Sequence, residues 1–310
     1  MKHLFIINPA AGSHDRTHEF KTVIERVCAK HGLDYEITVS DAPGACTAIA
    51  RQAAKTGAQL RLYACGGDGT LNEVINGTAG FENVSVTHFP GGSGNDTIKI
   101  FSETKPFRDL ERLLECEEAN LDLIRCNDRY SVNIVSMGLD ARVSRDMTKF
   151  RRFPLLGGNG AYVAALVANL FKGLSQDMTV SVDGEVVAEG KQTLVCVCNG
   201  RWYGGQYNPV PDAQPDDGLL DVLIVKQISL LNVSQLLKRY QHGQYAELGD
   251  YISHYRCRSV DIDCGKPSVV NIDGECFDAP RAHMEVVDGA LRFFYPKGLT
   301  YAQKEFTHST

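Results

Sequence analysis

Gly66, Gly67 and Gly69 surround a single carboxylate, Asp68, in the run CGGDGTLNEV at 65–74. Glycines reach backbone conformations closed to other residues, and they let N–H groups come close to a phosphate. Thr70 followed by Glu73 reads as a capping box, and Leu71, Val74 and Ile75 give the helix behind it an apolar face. A helix N-terminus opening into a glycine loop is an anion site. Asp68 is misplaced beside a phosphate unless a cation comes with it, and a magnesium ion held with nucleotide phosphates meets that condition. The plainer reading of the same spacing is a tight turn with a surface aspartate.

A second loop, PGGSGND at 90–96, also follows a strand-like run and precedes apolar residues. Ser93 offers a hydroxyl to a phosphate, while Asn95 and Asp96 either cap the next helix or hold a ribose; a flexible turn competes with both readings. A third loop, Asn8-Pro9-Ala10-Ala11-Gly12-Ser13, has only its place after the first strand to recommend it. None of the three carries the Gly-Lys-Ser/Thr of a Walker loop or the dinucleotide GxGxxG pattern.

The elements that must position these loops alternate. Apolar runs at 4–7, 35–39, 60–64 and 84–89 predict four strands. Between them, Phe20, Val23, Ile24, Val27 and Cys28 mark one helix capped at Gly32, and Ala45, Ala48, Ile49 and Ala53 a second ending near Gly57. Strands alternating with helices imply a parallel sheet covered on both faces, with ligands at the carboxyl ends of its strands. After about residue 120 the pattern changes to strand-like runs, at 178–182, 193–198, 219–225, 260–263, 269–272 and 291–295. Asp-Gly pairs at 183–184, 273–274 and 288–289 predict three hairpin turns. Helical spacing is scarce there, apart from 160–171 and 230–240, and the half reads as mostly antiparallel β.

Composition narrows the options. With 43% hydrophobic and 23% charged residues, disorder and fibre are excluded. Apolar stretches such as 161–168 fall short of the roughly 18 residues a bilayer span requires. The apolar run before Asn8 and Pro9 is too short for a signal-peptide core. A formal charge of −6 argues against broad nucleic-acid binding. Ten cysteines form no CxxC pair, and Cys196 and Cys198 alternate along a strand as small buried hydrophobes do. These features predict a reduced, soluble, cytoplasmic protein.

GGDGTLNEVINGT at 66–78 with PGGSGND at 90–96 closely resembles the diacylglycerol kinase catalytic domain family, which includes bacterial soluble lipid kinases, sphingosine kinases and ceramide kinases. The resemblance extends to NPAAG at 8–12, MGLDARV at 137–143, NGRWYGGQYNPVPDAQPDDGLLDV at 199–222 and NIDGE at 271–275. It implies an α/β N-terminal domain with a parallel sheet of the NAD kinase and phosphofructokinase type over 1–124. A mostly antiparallel β-sandwich domain over 125–295 follows, then a tail at 296–310 packing back on the first domain. ATP would lie in the cleft between the domains. The family's nucleotide contacts fall on Asn8, Pro9, Ala10, Ala11, Gly12, Thr38, Gly66, Gly67, Asp68, Gly69, Thr70, Leu71, Asn72 and Ser93. Glu275 matches the family's proton acceptor, and Asp217 with the backbone carbonyls of Gln214 and Leu219 matches a structural magnesium site. The second loop departs from the family, reading Gly-Gly-Ser-Gly where Leu-Gly-Thr-Ala is commoner, and Thr38 rests on a loop of variable length.

The function so implied is ATP-dependent transfer of a phosphoryl group to a lipid hydroxyl, diacylglycerol-like, with magnesium. Positioning and charge neutralisation do most of the work in such a reaction. On spacing alone Glu275 is an ordinary strand residue after a turn, and Asp217 an Asx turn before Gly218. Asp68 is the rival base, favoured here on the metal side. The apolar helix at 160–171 is read as buried core before acyl-cleft lining, and Lys149-Phe150-Arg151-Arg152-Phe153 as a basic turn or a dock for anionic lipid. Expected partners are the lipid substrate and, transiently, a membrane surface, with no nucleic acid and with a homodimer left open. The location expected is cytoplasmic and peripheral to the membrane. Competing readings are an NAD kinase-like enzyme, a kinase of a non-lipid hydroxyl, and a silent lipid- or nucleotide-binding protein.

Overall fold

Four short runs become parallel strands: β1 (Lys2–Ile7), β2 (Tyr35–Val39), β3 (Leu60–Gly66) and β4 (Val84–Pro90), in the order β4-β3-β1-β2. The structure is a computed structural model that describes residues 1–150, 158–230 and 232–301. It divides into two units, Met1–Leu123 with the segment from Asp288 onward, and Ile124–Val287.

In the first unit, helices α1 (Thr17–His31), α2 (Ala45–Ala54) and α3 (Asp68–Thr78) alternate with the strands, and a short α4 (Leu110–Leu114) follows. Helix α1 buries Phe20, Ile24, Val27 and Cys28 and ends on Gly32, whose φ of 61° suits the left-handed cap. Helices α2 and α3 approach closely at Gly77, where a Cβ would stand 2.5 Å from the Thr47 carbonyl oxygen. The core holds Phe5 stacked on Tyr63 with centroids 4.2 Å apart, and Tyr63 meets Phe294 edge-on at 5.0 Å. Phe294 arrives on the strand Glu275–Pro296, whose closing part pairs parallel to β4 through Phe293 and Val86.

The second unit begins along β5 (Cys116–Cys126) and continues through β6 (Arg129–Ser131), β7 (Ile134–Gly138), α5 (Leu139–Phe150) and α6 (Gly158–Phe171). Next come β8 (Gln176–Asp177), β9 (Thr179–Val182), β10 (Glu185–Ala188), β11 (Lys191–Cys198), β12 (Leu220–Lys226) and α7 (Val233–Gln241). It closes with β13 (Ile252–Cys257), β14 (Ser259–Ile272) and the opening of β15 (Glu275–Pro296). The strands pair antiparallel in the order β13-β12-β11-β7-β14-β15, and β9 and β10 form a hairpin on β14. Alternation sends Val195 and Val197 of β11 into one apolar cluster and Cys196 and Cys198 into another, so both faces are covered. All ten cysteines are free thiols, and these two behave as small hydrophobes.

Three local expectations are corrected. Asp183-Gly184 and Asp273-Gly274 have positive φ at both residues, as hairpin turns of this type require. Asp288-Gly289 instead lies inside β15, where Gly289 has a φ of 56° and its N–H donates to the Asp122 carboxylate at 2.7 Å. That pair lies within a continuing strand and makes no reversal. Helix α5 was not anticipated, although Leu139, Val143, Met147 and Phe150 stand at helical spacing and pack against α6. Helix α6 is buried on one side only: Ala161, Ala165 and Asn169 face inward, and Val163, Val167 and Phe171 are exposed. Residues 151–153 of the basic-aromatic stretch, and the tail from 302, lie outside the described residues. Among the described residues no helix is long and apolar enough to cross a membrane.

Candidate phosphate-binding site

Strand register aligns the three glycine loops. Ile7 stands opposite Cys65, Cys65 opposite Phe89, and Gly66 opposite Pro90, so Asn8, Gly67 and Gly91 leave the sheet at one edge. The loops then bind one another. The Asn8 N–H donates to the Cys65 carbonyl at 3.1 Å, and the Gly66 carbonyl accepts from Gly91 N–H at 2.6 Å and Gly92 N–H at 3.2 Å. Asn8 Nδ2 donates to Thr70 Oγ1 at 3.1 Å, while Asn8 Oδ1 accepts from Ala10 N–H at 3.0 Å.

Glycine is needed at several of these contacts. A Cβ on Gly92 would lie 2.5 Å from Gly67 Cα, and one on Gly12 would lie 2.8 Å from the Gly91 oxygen. Gly12 also has a φ of 88°, in the region that disfavours side chains. Behind the loops α3 starts at Asp68, and its first ladder bond is Leu71 N–H to the Gly67 carbonyl at 3.1 Å. The N–H groups of Asp68, Gly69 and Thr70 precede that bond and lie outside the helix ladder, the arrangement that binds anions.

Asp68 turns toward the second loop and accepts from the Asp96 N–H at 2.5 Å; a Cβ on Gly94 would stand 2.7 Å from its other oxygen. The Asp96 carboxylate pairs with Lys99 at 2.6 Å. Asn95 is buried with a φ of 51°, its Nδ2 donating to the Gly92 carbonyl at 2.8 Å and its Oδ1 without a partner. Ser93 is exposed at the loop tip. These residues, with Asn8, Pro9, Ala10, Ala11 and Gly12, share one sheet edge. Leu71 and Asn72 are buried along α3, and Asn72 accepts from Asn76 Nδ2. Thr38 stands apart: it lies within β2 opposite Ile6, its hydroxyl 3.5 Å from Glu36.

The capping box is corrected. The N-cap of α3 is Gly67, which has no side chain to cap with, while Thr70 lies inside the helix with its hydroxyl accepting from Asn8. Glu73 serves α2 instead, accepting from the N–H groups of Gly44 and Cys46 at 3.1 Å each. Asp96 likewise precedes only a four-residue 3₁₀ turn, Thr97–Ile100, without side-chain capping. Sequence reasoning missed His88, a fully buried ring whose Nε2–H donates to the Gly66 carbonyl at 2.9 Å. Burial pushes its pKa down, against the opposing pull of Asp68 and Asp96, so the ring is a neutral donor. The signal was a histidine near the end of a strand beside a glycine loop.

In the second unit, Glu275 is exposed at the start of β15, opposite Ile272 and directly after the Asp273-Gly274 turn. That turn is tied down tightly. The Asp273 carboxylate accepts from the N–H groups of Val132 at 2.8 Å, Asn133 at 3.2 Å and Ile134 at 2.9 Å. Asn271 Oδ1 accepts from Gly274 N–H at 3.0 Å, and Asn271 Nδ2 donates to Ser136 Oγ at 3.2 Å. Ser136 in turn donates to Asp140 at 2.7 Å. Burial raises the pKa of Asp140, with the Ser136 and Tyr203 hydroxyls opposing. The MGLDARV and NIDGE motifs thus meet through a hydrogen-bonded chain that their sequences did not reveal.

The magnesium donor set fits poorly. Asp217 accepts from the Leu219 N–H at 3.0 Å and forms an ion pair with Arg256 of β13. A guanidinium therefore sits on the only carboxylate expected beside the Gln214 and Leu219 carbonyls, where magnesium needs oxygen donors at about 2.0–2.1 Å. Among the described residues no three His, Cys, Asp or Glu side chains are grouped to hold a metal.

The fold and the loops together define a class: a two-unit protein with three loops gathered at one sheet edge of its α/β unit. Residues 2–126 match the diacylglycerol kinase catalytic domain, and residues 133–295 match the YegS C-terminal NAD kinase β-sandwich-like domain. The chain belongs to this diacylglycerol kinase family. A Staphylococcus epidermidis protein described as a candidate lipid kinase is 28% identical over 216 residues, 69% of each chain. A Staphylococcus aureus counterpart is 25% identical over 233 residues, 74% of this chain and 75% of the other. A solved structure of a candidate diacylglycerol kinase from Bacillus anthracis covers 96% of this chain and 98% of its own, at 25% identity and a TM-score of 0.75.

Proposed function

We propose that this chain is an ATP-dependent kinase that phosphorylates the hydroxyl of a lipid of the diacylglycerol type. The observation that supports it best is the alignment of three loops at one sheet edge in front of α3, with glycine forced where backbones touch. The N–H groups opening α3 and the 91–94 loop bind the nucleotide phosphates. Asp68 is the carboxylate that would stand beside the magnesium travelling with them, which would supply charge neutralisation. Asn95 Oδ1, buried and without a partner, accepts from a ribose hydroxyl. Glu275, exposed directly after the turn that Asn271 and Asp273 hold in place, takes the proton of the attacking lipid hydroxyl. Asp68 is less suited to that role, since its Oδ1 is committed to the Asp96 N–H. The enzyme acts from the cytoplasm at a membrane surface.

The test is ATP consumption with magnesium over a panel of lipid hydroxyl acceptors in mixed micelles, with a soluble polyol alongside. Turnover is expected on a glycerolipid. Glu275→Gln is expected to lower kcat by about 10²–10⁴-fold, the usual worth of a general base, with ATP affinity retained. Turnover on the polyol alone would sink the lipid assignment, and ATP binding without any turnover would sink the kinase. Near-normal turnover in Glu275→Gln would return the base to Asp68.

A further inference from the structure

We propose that Arg256 occupies the place of a structural divalent ion in the segment 216–221, so that this chain holds the segment without metal. Asp217 and Asp221 are four residues apart on either side of the point where the segment enters β12. Arg256 stands opposite Asp221 in the β12–β13 ladder. From there its guanidinium pairs with Asp217, and its Nε lies 3.7 Å from Asp221 Oδ1. A planar, permanently charged fork is suited to join two carboxylates in this way. Asp221 is only 4% exposed and also receives His254 Nε2 at 2.7 Å, so its charge is compensated within the protein.

The backbone of the segment is met from the same side. Arg258 Nη1 donates to the Gly218 carbonyl at 3.0 Å, and the Leu219 N–H closes an Asx turn on Asp217. A hard cation would gather a carboxylate and neighbouring carbonyls here. Two arginines two residues apart do so instead. They are covalently part of the chain and cannot be removed by a chelator. The magnesium requirement of this protein is then confined to the nucleotide, and the fold is indifferent to free magnesium.

Metal content and thermal unfolding of the full, nucleotide-free chain test this directly. After exposure to magnesium and desalting, less than stoichiometric metal is expected, and the unfolding midpoint should be the same in EDTA and in millimolar magnesium. Arg256→Ala leaves Asp217 and Asp221 facing each other without their shared cation, and its midpoint should fall by about 5 °C. Arg256→Lys keeps a charge and should stay metal-indifferent. One tightly held magnesium per chain, or a midpoint that drops in EDTA and recovers with magnesium, would overturn the proposal. An Arg256→Ala midpoint equal to that of the natural chain would do so too. Should Arg256→Ala not fold, the natural chain and Arg256→Lys still decide. None of these readouts depends on catalysis, so their failure is distinguishable from failure of the kinase assignment.

Discussion

The Gly66 carbonyl oxygen accepts from Gly91, Gly92 and the His88 ring, so one atom pins two loops to the end of β4. His88 performs this because burial keeps it neutral with the proton available on Nε2. At Gly67 and Gly92 no side chain stands between the first two loops, and their backbones are in contact. Gly92 is therefore the most exacting position. Its φ is not in the left-handed region, so alanine is excluded only by the 2.5 Å approach to Gly67 Cα. Gly92→Ala should push the second loop off the first and weaken ATP binding by about tenfold, near 1.4 kcal/mol. Isothermal titration with ATP and magnesium measures this, and unchanged affinity would show that the loops do not form the nucleotide site.

At the scale of elements, α2 and α3 are coupled by more than apolar packing. Glu73 leaves its own helix to receive the N–H groups of Gly44 and Cys46, and Thr47 Oγ1 donates to the Glu73 carbonyl at 2.9 Å. Glu73→Ala strips α2 of a cap and should cost about 1–2 kcal/mol, lowering the unfolding midpoint by a few degrees. A scan at constant pH checks it, and an unmoved midpoint would contradict the cap. The sequence showed a carboxylate three residues after Thr70, but spacing cannot say which helix a long side chain reaches. The same limit explains Asp288-Gly289. An Asp-Gly pair favours a positive φ without dictating a reversal, and here Gly289 takes that φ inside a continuing strand while its N–H is held by the Asp122 carboxylate. By contrast, β1 and β3 were legible because a buried parallel strand is largely an apolar run. Helix α5 was passed over because its apolar residues are diluted by Asp140, Arg142, Arg145, Asp146 and Lys149. Those charges are part of its fit, with Asp146 accepting from Lys149, Lys172 and Asn169 to tie α5 to α6.

For the whole molecule, the change of pattern near 120 marks where the chain leaves the first unit, but nothing in it shows that residues from 288 return. Apolar alternation reports that a face is buried, and is silent about which core buries it. The return is extensive. Phe293 and Phe294 are fully buried, Phe293 stacks with Phe101 at 6.0 Å, and Arg61 lies over the Phe294 ring at 5.3 Å. Arg292 bonds the Glu82 carbonyl and Glu118, and Ser102 N–H donates to Thr300 at 2.7 Å. Residues 1–123 alone would expose the β4 edge and the rings of Tyr63, Phe101 and Phe107, losing two buried Phe side chains worth about 1.5–3 kcal/mol each. That loss is a large part of an ordinary domain's stability. The fragment 1–123 should therefore lack a cooperative melt and a near-ultraviolet circular dichroism signal. Joining 123 to 288 with a short Gly/Ser linker should restore both, since Asp122 and Gly289 are already hydrogen-bonded. The fused chain would carry all three glycine loops and none of the second unit; if those loops form the proposed nucleotide site, it should bind ATP without turning it over. A fragment 1–123 that melts cooperatively by itself would show that the returning strand is an accessory to the first unit's core.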